Sequence, residues 1–280
     1  MEILLQRILR VSSRYLLFIL LILFFPECSS LQRQGCEGDC QNGKGKWSDG
    51  NELYDGEFQN GSFHGKGRLV LDSGDVYEGD FLNGEFHGWG KLQFAEGDHY
   101  EGEFREGEIT GRGVYTIHNG EIFEGNFLNG KPEGDARVLF PNGEKYEGNF
   151  KNGRMNGDGF LTQKSGEKYN GSFQNGKYNG RGTLELPNGR RYSGEFKENQ
   201  FHGKGTLSYP DGTVYIGEFQ NGKFSGNGQL ISPGGDKYTG SFLNGKFHGK
   251  GTYSYADGTE LSGTFKEGEI QGESEMNYIR

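Results

Sequence analysis

The chain has 280 residues, 52 of them glycine, with 31% hydrophobic residues and a formal net charge of −9. A net negative chain is a poor match for nucleic acid or anionic lipid head groups, so neither is expected as the main ligand. Glycine on this scale also excludes long regular helices over most of the length.

Read from the N-terminus, Arg7, Arg10 and Arg14 precede an unbroken apolar run, Leu16 to Phe25, followed by Pro26-Glu27-Cys28-Ser29-Ser30. A basic start, an apolar run and then small residues read as an export signal over residues 1–27. The run falls short of the ~20 residues needed to cross a bilayer as a helix, so a transmembrane anchor is the weaker reading. Cys28 stands where a bacterial lipoprotein signal is cut and acylated, although Glu27 replaces the small residue usual before it. Cys36 and Cys40 are then left as an even pair, spaced for a short disulfide in an oxidising compartment. Two thiols without a nearby histidine do not complete a zinc site. The expected location is the cell envelope, tethered by lipid on Cys28. Residues 28–49 read as a short linker and an incomplete capping unit, with Asn42 to Gly50 matching half of a unit that recurs along the rest of the chain.

From residue 50 to 280 one phrase dominates. Aromatic-x-Gly-x-Phe recurs at a spacing of 23 residues from Tyr54 to Leu261, ten copies in all. A fixed period of this size marks a repeat architecture, in which each unit stacks on its neighbours. Each repeat carries two strand-sized runs and two turns, one built on Gly74 and its equivalents, the other usually Asn-Gly as at Asn83-Gly84. Asn-Gly supplies the positive φ that a tight hairpin demands, so the unit is a β-hairpin. Alternation puts Tyr77, Gly79 and Phe81 on one face with Leu69, and Glu78 and Asp80 on the other. The same core recurs as Tyr146, Gly148 and Phe150, and as Tyr215, Gly217 and Phe219. Glycine between Tyr and Phe leaves a gap over which a neighbouring ring can lie. Two strands per repeat advance roughly 10 Å, so ten repeats predict a ribbon of roughly 100 Å, and its apolar face should be partly exposed or covered by a partner.

The segment Tyr77-Glu-Gly-Asp-Phe-Leu-Asn-Gly-Glu-Phe-His-Gly-Trp-Gly90 resembles the MORN (membrane occupation and recognition nexus) repeat. The resemblance implies an all-β fold: an elongated, single-layer, twisted antiparallel sheet of about ten stacked hairpins, used as a scaffold or binding module. The kinase or methyltransferase domain that accompanies such repeats in several relatives has no counterpart here. Lys131-Pro132-Glu133, Ala136, Asn199, Leu261 and Ser274 depart from the pattern, and local irregularity is expected over 131–136.

No constellation for catalysis stands out, and no enzyme activity or cofactor is expected. The Gly-x-Gly strings open no helix and are not phosphate loops. His64, His87, His202 and His248 share one repeat position, roughly 10 Å apart for neighbours, too far to share a metal and suited to local turn hydrogen bonds. Glu78, Asp80, Glu101, Glu103, Glu124 and Glu147 read as an acidic lane, with Lys145, Lys168 and Arg191 as a short basic row. The expected function is a non-enzymatic envelope scaffold whose partner is another protein or a second copy. The candidate contact row is Phe63, Phe86, Tyr178, Phe201, Phe224 and Phe247, whose alternative role is packing between turns. A glycan- or lipid-binding module and a calcium-dependent adhesin using Glu78, Asp80, Glu101 and Glu103 are the alternatives.

Overall fold

The computed structural model describes residues 35–278, so Cys28 and the basic-apolar segment before it lie outside the described residues. Among the described residues there are 22 β-strands and no helix. The chain divides into two compact units, up to Arg154 and from Met155. Within each unit every strand pairs antiparallel with the next, as the Tyr/Phe strand Val76–Leu82 does with Ser62–Val70 before it and Glu85–Gln93 after it. The sheet begins before residue 50: Cys36–Gly38 pairs with Lys44–Ser48, which pairs with Leu53–Gln59. Cys36 and Cys40 form a disulfide in this first turn, with Cα atoms 6.3 Å apart.

Two kinds of turn alternate. At the Asn-Gly turns both central residues have positive φ, 53° at Asn83 and 91° at Gly84, the geometry whose twist matches antiparallel strands. At the other edge a three-residue loop closes on Gly74, at φ 84°, with the Leu71 amide donating to the Asp75 carbonyl at 2.9 Å. Backbone bonds also run from turn to turn, for example the Gly84 amide to the Phe63 carbonyl at 2.8 Å and Gly107 to Phe86 at 3.0 Å.

The period-two reading misses a bulge in each hairpin. Gly79 faces Gly90, but Asp80 faces His87, so Gly88 and Trp89 are extra on the second strand. Gly88 takes φ 58° there. The acid before Phe serves this bulge: Glu103 accepts the Arg112 amide at 3.1 Å, and Glu195 accepts that of Lys204 at 3.3 Å. The irregularity expected over 131–136 is present as a register shift between Pro132 and Ala136, but the sister strands shift at the same place, so it belongs to the repeat and not to this copy.

The core is built of rings lying flat on glycine. The Tyr77 ring covers its own Gly79 and the facing Gly90, not a gap left for a neighbour's ring. A Cβ on Gly79 would stand 2.5 Å from the Tyr77 hydroxyl and 2.6 Å from the Gly90 Cα, where no atom fits. The hydroxyl donates to the Asp80 carbonyl at 2.8 Å. Phe86 stacks on the other side of Tyr77 at 3.8 Å, while Phe81 and Phe104 meet it edge-on at 5.0 and 5.1 Å. Tyr77 is fully buried as a result. Tyr146 and Phe150 repeat the edge contact at 5.1 Å, as do Tyr215 and Phe219. The Tyr rings of the apolar face are therefore sealed, while the upper ring layer stays partly exposed at Phe63, Phe201, Phe224 and Phe247.

Candidate interaction surface

The candidate contact row supplies the upper layer of this packing. Phe63 stacks on Tyr54, Phe86 on Tyr77, Tyr178 on Tyr169, Phe201 on Tyr192, Phe224 on Tyr215 and Phe247 on Tyr238, with centroids 3.7–3.9 Å apart and planes within 13°. Phe86 and Tyr178 are buried, whereas Phe63, Phe201, Phe224 and Phe247 remain half-buried. Ile109 and Met155 fill the same slot in repeats lacking a ring there.

Exposed large apolar side chains sit mainly on the opposite face, which alternation marks as outer. In the first unit these are Leu53, Leu82, Trp89, Val114, Leu128 and Leu139; in the second, Phe160, Ile216 and Leu243. Ile216 occupies a shallow depression with Lys204, Thr206, Glu218 and Asn227. Trp89, 49% exposed, and Val114, 37% exposed, flank the strand His99–Arg105.

The acidic lane is not acidic once both strands are counted. Cross-strand pairing interleaves it as Asp55, Arg68, Glu78, Lys91 and Glu101, and beyond Val114 as Glu124, Arg137 and Glu147. Lys66 pairs with Asp80 at 2.7 Å and Lys91 with Glu101 at 3.2 Å. Among the described residues no group of three or more His, Cys, Asp or Glu side chains could hold a metal. Arg191 of the basic row is paired with Glu185 at 3.3 Å. In the second unit the same outer row is nearly uncharged, with Thr183, Ser193, Thr206, Ile216, Gln229, Thr239 and Thr252. The histidines contribute differently from expectation. Backbone carbonyls of His64, His87 and His202 accept the Tyr hydroxyl at 3.2–3.4 Å, while the Nδ1 atoms of His64 and His248 are buried without a hydrogen-bond partner.

Acidic charge gathers at the edge formed by the Gly turns. In the first unit these turns carry Asp49, Glu52, Asp72, Asp75, Glu96, Asp98, Glu121 and Glu144 and no Lys or Arg. Residues 35–154 hold 23 acidic and 12 basic side chains, net −11, whereas residues 155–280 hold 14 of each. Several turn acids link successive turns: Asp75 accepts the Ala95 amide at 2.8 Å, Asp98 that of His118 at 2.9 Å, and Asp236 that of Ala256 at 2.9 Å. Burial works against the Asp98 carboxylate. Hydrogen bonds from the His118 amide and ring and the Tyr115 hydroxyl outweigh it and hold the group below its ordinary pKa. Glu121 has no such help. Twenty residues on stands Pro141, which has no amide to donate, and the Glu121 Oε1 is buried without a partner. Burial pushes that carboxyl up. Glu52 is likewise raised, by burial and then by the Asp49 and Asp72 carboxylates.

Stacked 23-residue hairpins with flat Tyr rings over paired glycines define a β-hairpin repeat protein. The MORN repeat model matches nine consecutive segments, 54–76, 77–99, 100–122, 123–145, 146–168, 169–190, 192–214, 215–237 and 238–260. The chain belongs to the MORN-repeat family. The tenth copy, from Leu261, lies beyond the matched segments, yet Thr259–Lys266 pairs with Glu269–Tyr278 as its hairpin. No curated protein sequence matches the chain. Among solved structures it is similar to the TCP10 domain of Danio rerio CPAP in complex with a peptide of Danio rerio STIL, at 14% identity, 81% of this chain, 99% of that one and TM-score 0.46. It is also similar to the SAS-4 (dCPAP) TCP domain in complex with a proline-rich motif of Ana2 (dSTIL) of Drosophila melanogaster, at 12% identity, 76% and 94% coverage and TM-score 0.31. Superpositions this loose carry no argument about partner or chemistry.

Proposed function

We propose that this protein is a non-enzymatic scaffold that holds a protein partner on the outer face of its MORN sheet. The observation carrying this reading is the inversion of exposure between the two faces. The aromatic face buries its Tyr rings and leaves its upper rings no more than half-exposed, while Leu53, Trp89, Val114 and Ile216 stand in solvent on the charged side. Apolar anchors inside a polar surround have the composition of a protein interface. Trp89→Ser with Val114→Ser should leave thermal unfolding unchanged and abolish stoichiometric co-purification of a partner, or self-association, from cells that express the chain. Unaltered complex formation by that double variant would sink the reading.

We also propose that the chain is exported and held at the cell envelope by lipid on Cys28. The basic-apolar start supports this reading, and so does the Cys36–Cys40 disulfide, which suits an oxidising compartment. Intact mass of the mature N-terminus checks it: acylated Cys28 is expected, and an intact Met1 overturns export.

A further inference from the structure

The middle row of the second unit's outer face crosses ten strands, from Phe160 to Ser262, without one Lys, Arg, Asp or Glu. Phe160 is 42% exposed there and Ile216 is 47%. The charges beside this row are ordered about one line, which runs along the strands between Arg191–Lys197 and Gln200–Ser208. Arg181 and Glu195 lie paired on one side of it, Lys204 and Glu218 on the other. A half-turn about that line lays the outer face of a second copy on the first. Glu195 then opposes Lys204 and Arg181 opposes Glu218, each contact made twice by symmetry. In the uncharged row Ser193 opposes Thr206 and Asn170 opposes Gln229, pairs whose side chains both donate and accept, while Ile216 meets Thr183. No like charges meet on the Gly-turn side: Arg191, paired with Glu185 at 3.3 Å, opposes Ser208, and Glu185 opposes Val214.

We infer that the second unit pairs face to face with a second copy of this chain about this two-fold line. An uncharged centre with complementary charges beside it is the anatomy of a protein interface, and here the complement is the face itself. From Phe160 to Thr239 eight strands at about 4.8 Å, three outer rows wide, give roughly 700 Å² per copy and roughly 1,400 Å² in all, within the range of stable complexes. The first unit does not compete. Its middle row is charged, so covering it would desolvate Arg68, Glu78, Lys91 and Glu101, and at net −11 it repels its own copy. The second unit, with 14 acidic and 14 basic side chains, carries no such penalty. This contact is separate from the partner contact proposed at Trp89 and Val114.

Sedimentation velocity of the full chain tests it, with a concentration-dependent dimer expected. Ile216→Glu places a charge in the uncharged row, and Lys204→Glu sets a carboxylate against Glu195. Each should weaken the dimer at least about tenfold without moving the thermal midpoint. Adding Glu195→Lys to Lys204→Glu exchanges the pair and should restore the parent affinity. Glu195 also accepts the Lys204 amide at 3.3 Å, so thermal melts must show that this double variant folds. Where it does not, Arg181→Glu, which opposes Glu218, should weaken the dimer as Lys204→Glu does. A monomer at every concentration overturns the inference. So does a dimer indifferent to Ile216→Glu, a dimer that both single charge reversals leave intact, or a folded exchange variant that stays monomeric. Loss of the dimer in Trp89→Ser with Val114→Ser, but not in Ile216→Glu, moves self-association to the first unit. That result overturns this inference and leaves the scaffold role standing.

Discussion

Two glycines of each repeat are dictated by one tyrosine ring, two and thirteen residues before them. Tyr77 needs glycine at Gly79 and Gly90 because its ring occupies the space above both Cα atoms. One matched copy breaks the rule twice, with Phe123 for Tyr and Ala136 for Gly, and the two breaks compensate: the Phe123 ring, with no hydroxyl to place, tilts to 63° against Phe127 where Tyr77 meets Phe81 at 88°, and the methyl is accommodated. Phe123 is 1% exposed and Ala136 is 8%. Phe123→Tyr is expected to cost about 1–3 kcal/mol, and Ala136→Gly in the same chain should recover most of it. Urea midpoints of the four-variant cycle measure the coupling, and strictly additive effects would refute the compensation. The signal was legible in the sequence. Ala136 and Ser274, the two losses of that glycine, follow Phe123 and Leu261, the two losses of Tyr, by thirteen residues each. What concealed it was treating the glycine as a gap for another repeat's ring.

At the scale of the hairpin, strand period and turn chemistry could be read directly, because Asn-Gly and the Gly loops each admit few backbone geometries. The bulge could not, since two extra residues in every copy preserve the 23-residue period and leave no trace in it. Its signatures are the positive-φ glycine at Gly88 and its equivalents and, in half the copies, the acid before Phe at Glu57, Asp80, Glu103, Glu195 and Glu218. The links between Gly turns also obey a rule: Asp75, Asp98 and Asp236 precede a non-proline residue by twenty positions, whereas Glu121, Glu167, Arg190 and Thr213 precede Pro. Glu121 bears the consequence. A carboxyl raised in the fold contributes stability that is complete below its unfolded value, near 4.5, and lost as pH rises through the folded value. Glu121→Gln should therefore stabilise the protein by about 1 kcal/mol at pH 7. The gain should vanish at about pH 4 in paired thermal melts. A variant no more stable than the parent at neutral pH would mean that the carboxylate is solvated.

Over the whole molecule the same tyrosine environment recurs, so its titration is a collective property. Burial pushes the Tyr54, Tyr169 and Tyr215 hydroxyls up to about 12, and it raises Tyr77, Tyr100 and Tyr192 further. Stability from these groups is complete below about pH 10 and lost as pH rises through the folded values. Tyrosinate absorbance should appear together with loss of the β-sheet signal between about pH 10 and 12. Tyrosinate forming in a chain that still holds its sheet would contradict the flat-ring packing. The partition of charge, net −11 against zero, could be counted from the sequence, but only once the structure showed where to divide the chain. The acidic lane misled for a related reason: the bases that neutralise it come from the intervening strand and are invisible when one strand per repeat is read.

Because each Tyr is bound to its glycine at a fixed remove, this gene can shorten by whole repeats but not indifferently. Removing residues 101–123 joins Tyr100 to Glu124 and sets a hydroxyl against the methyl of Ala136. Removing residues 124–146 leaves Phe123 above Gly159, with only a small void. Two deletions of equal length, both in frame, thus have unequal prospects of surviving recombination. The copy that departs from the pattern makes one of its borders a poor place to cut.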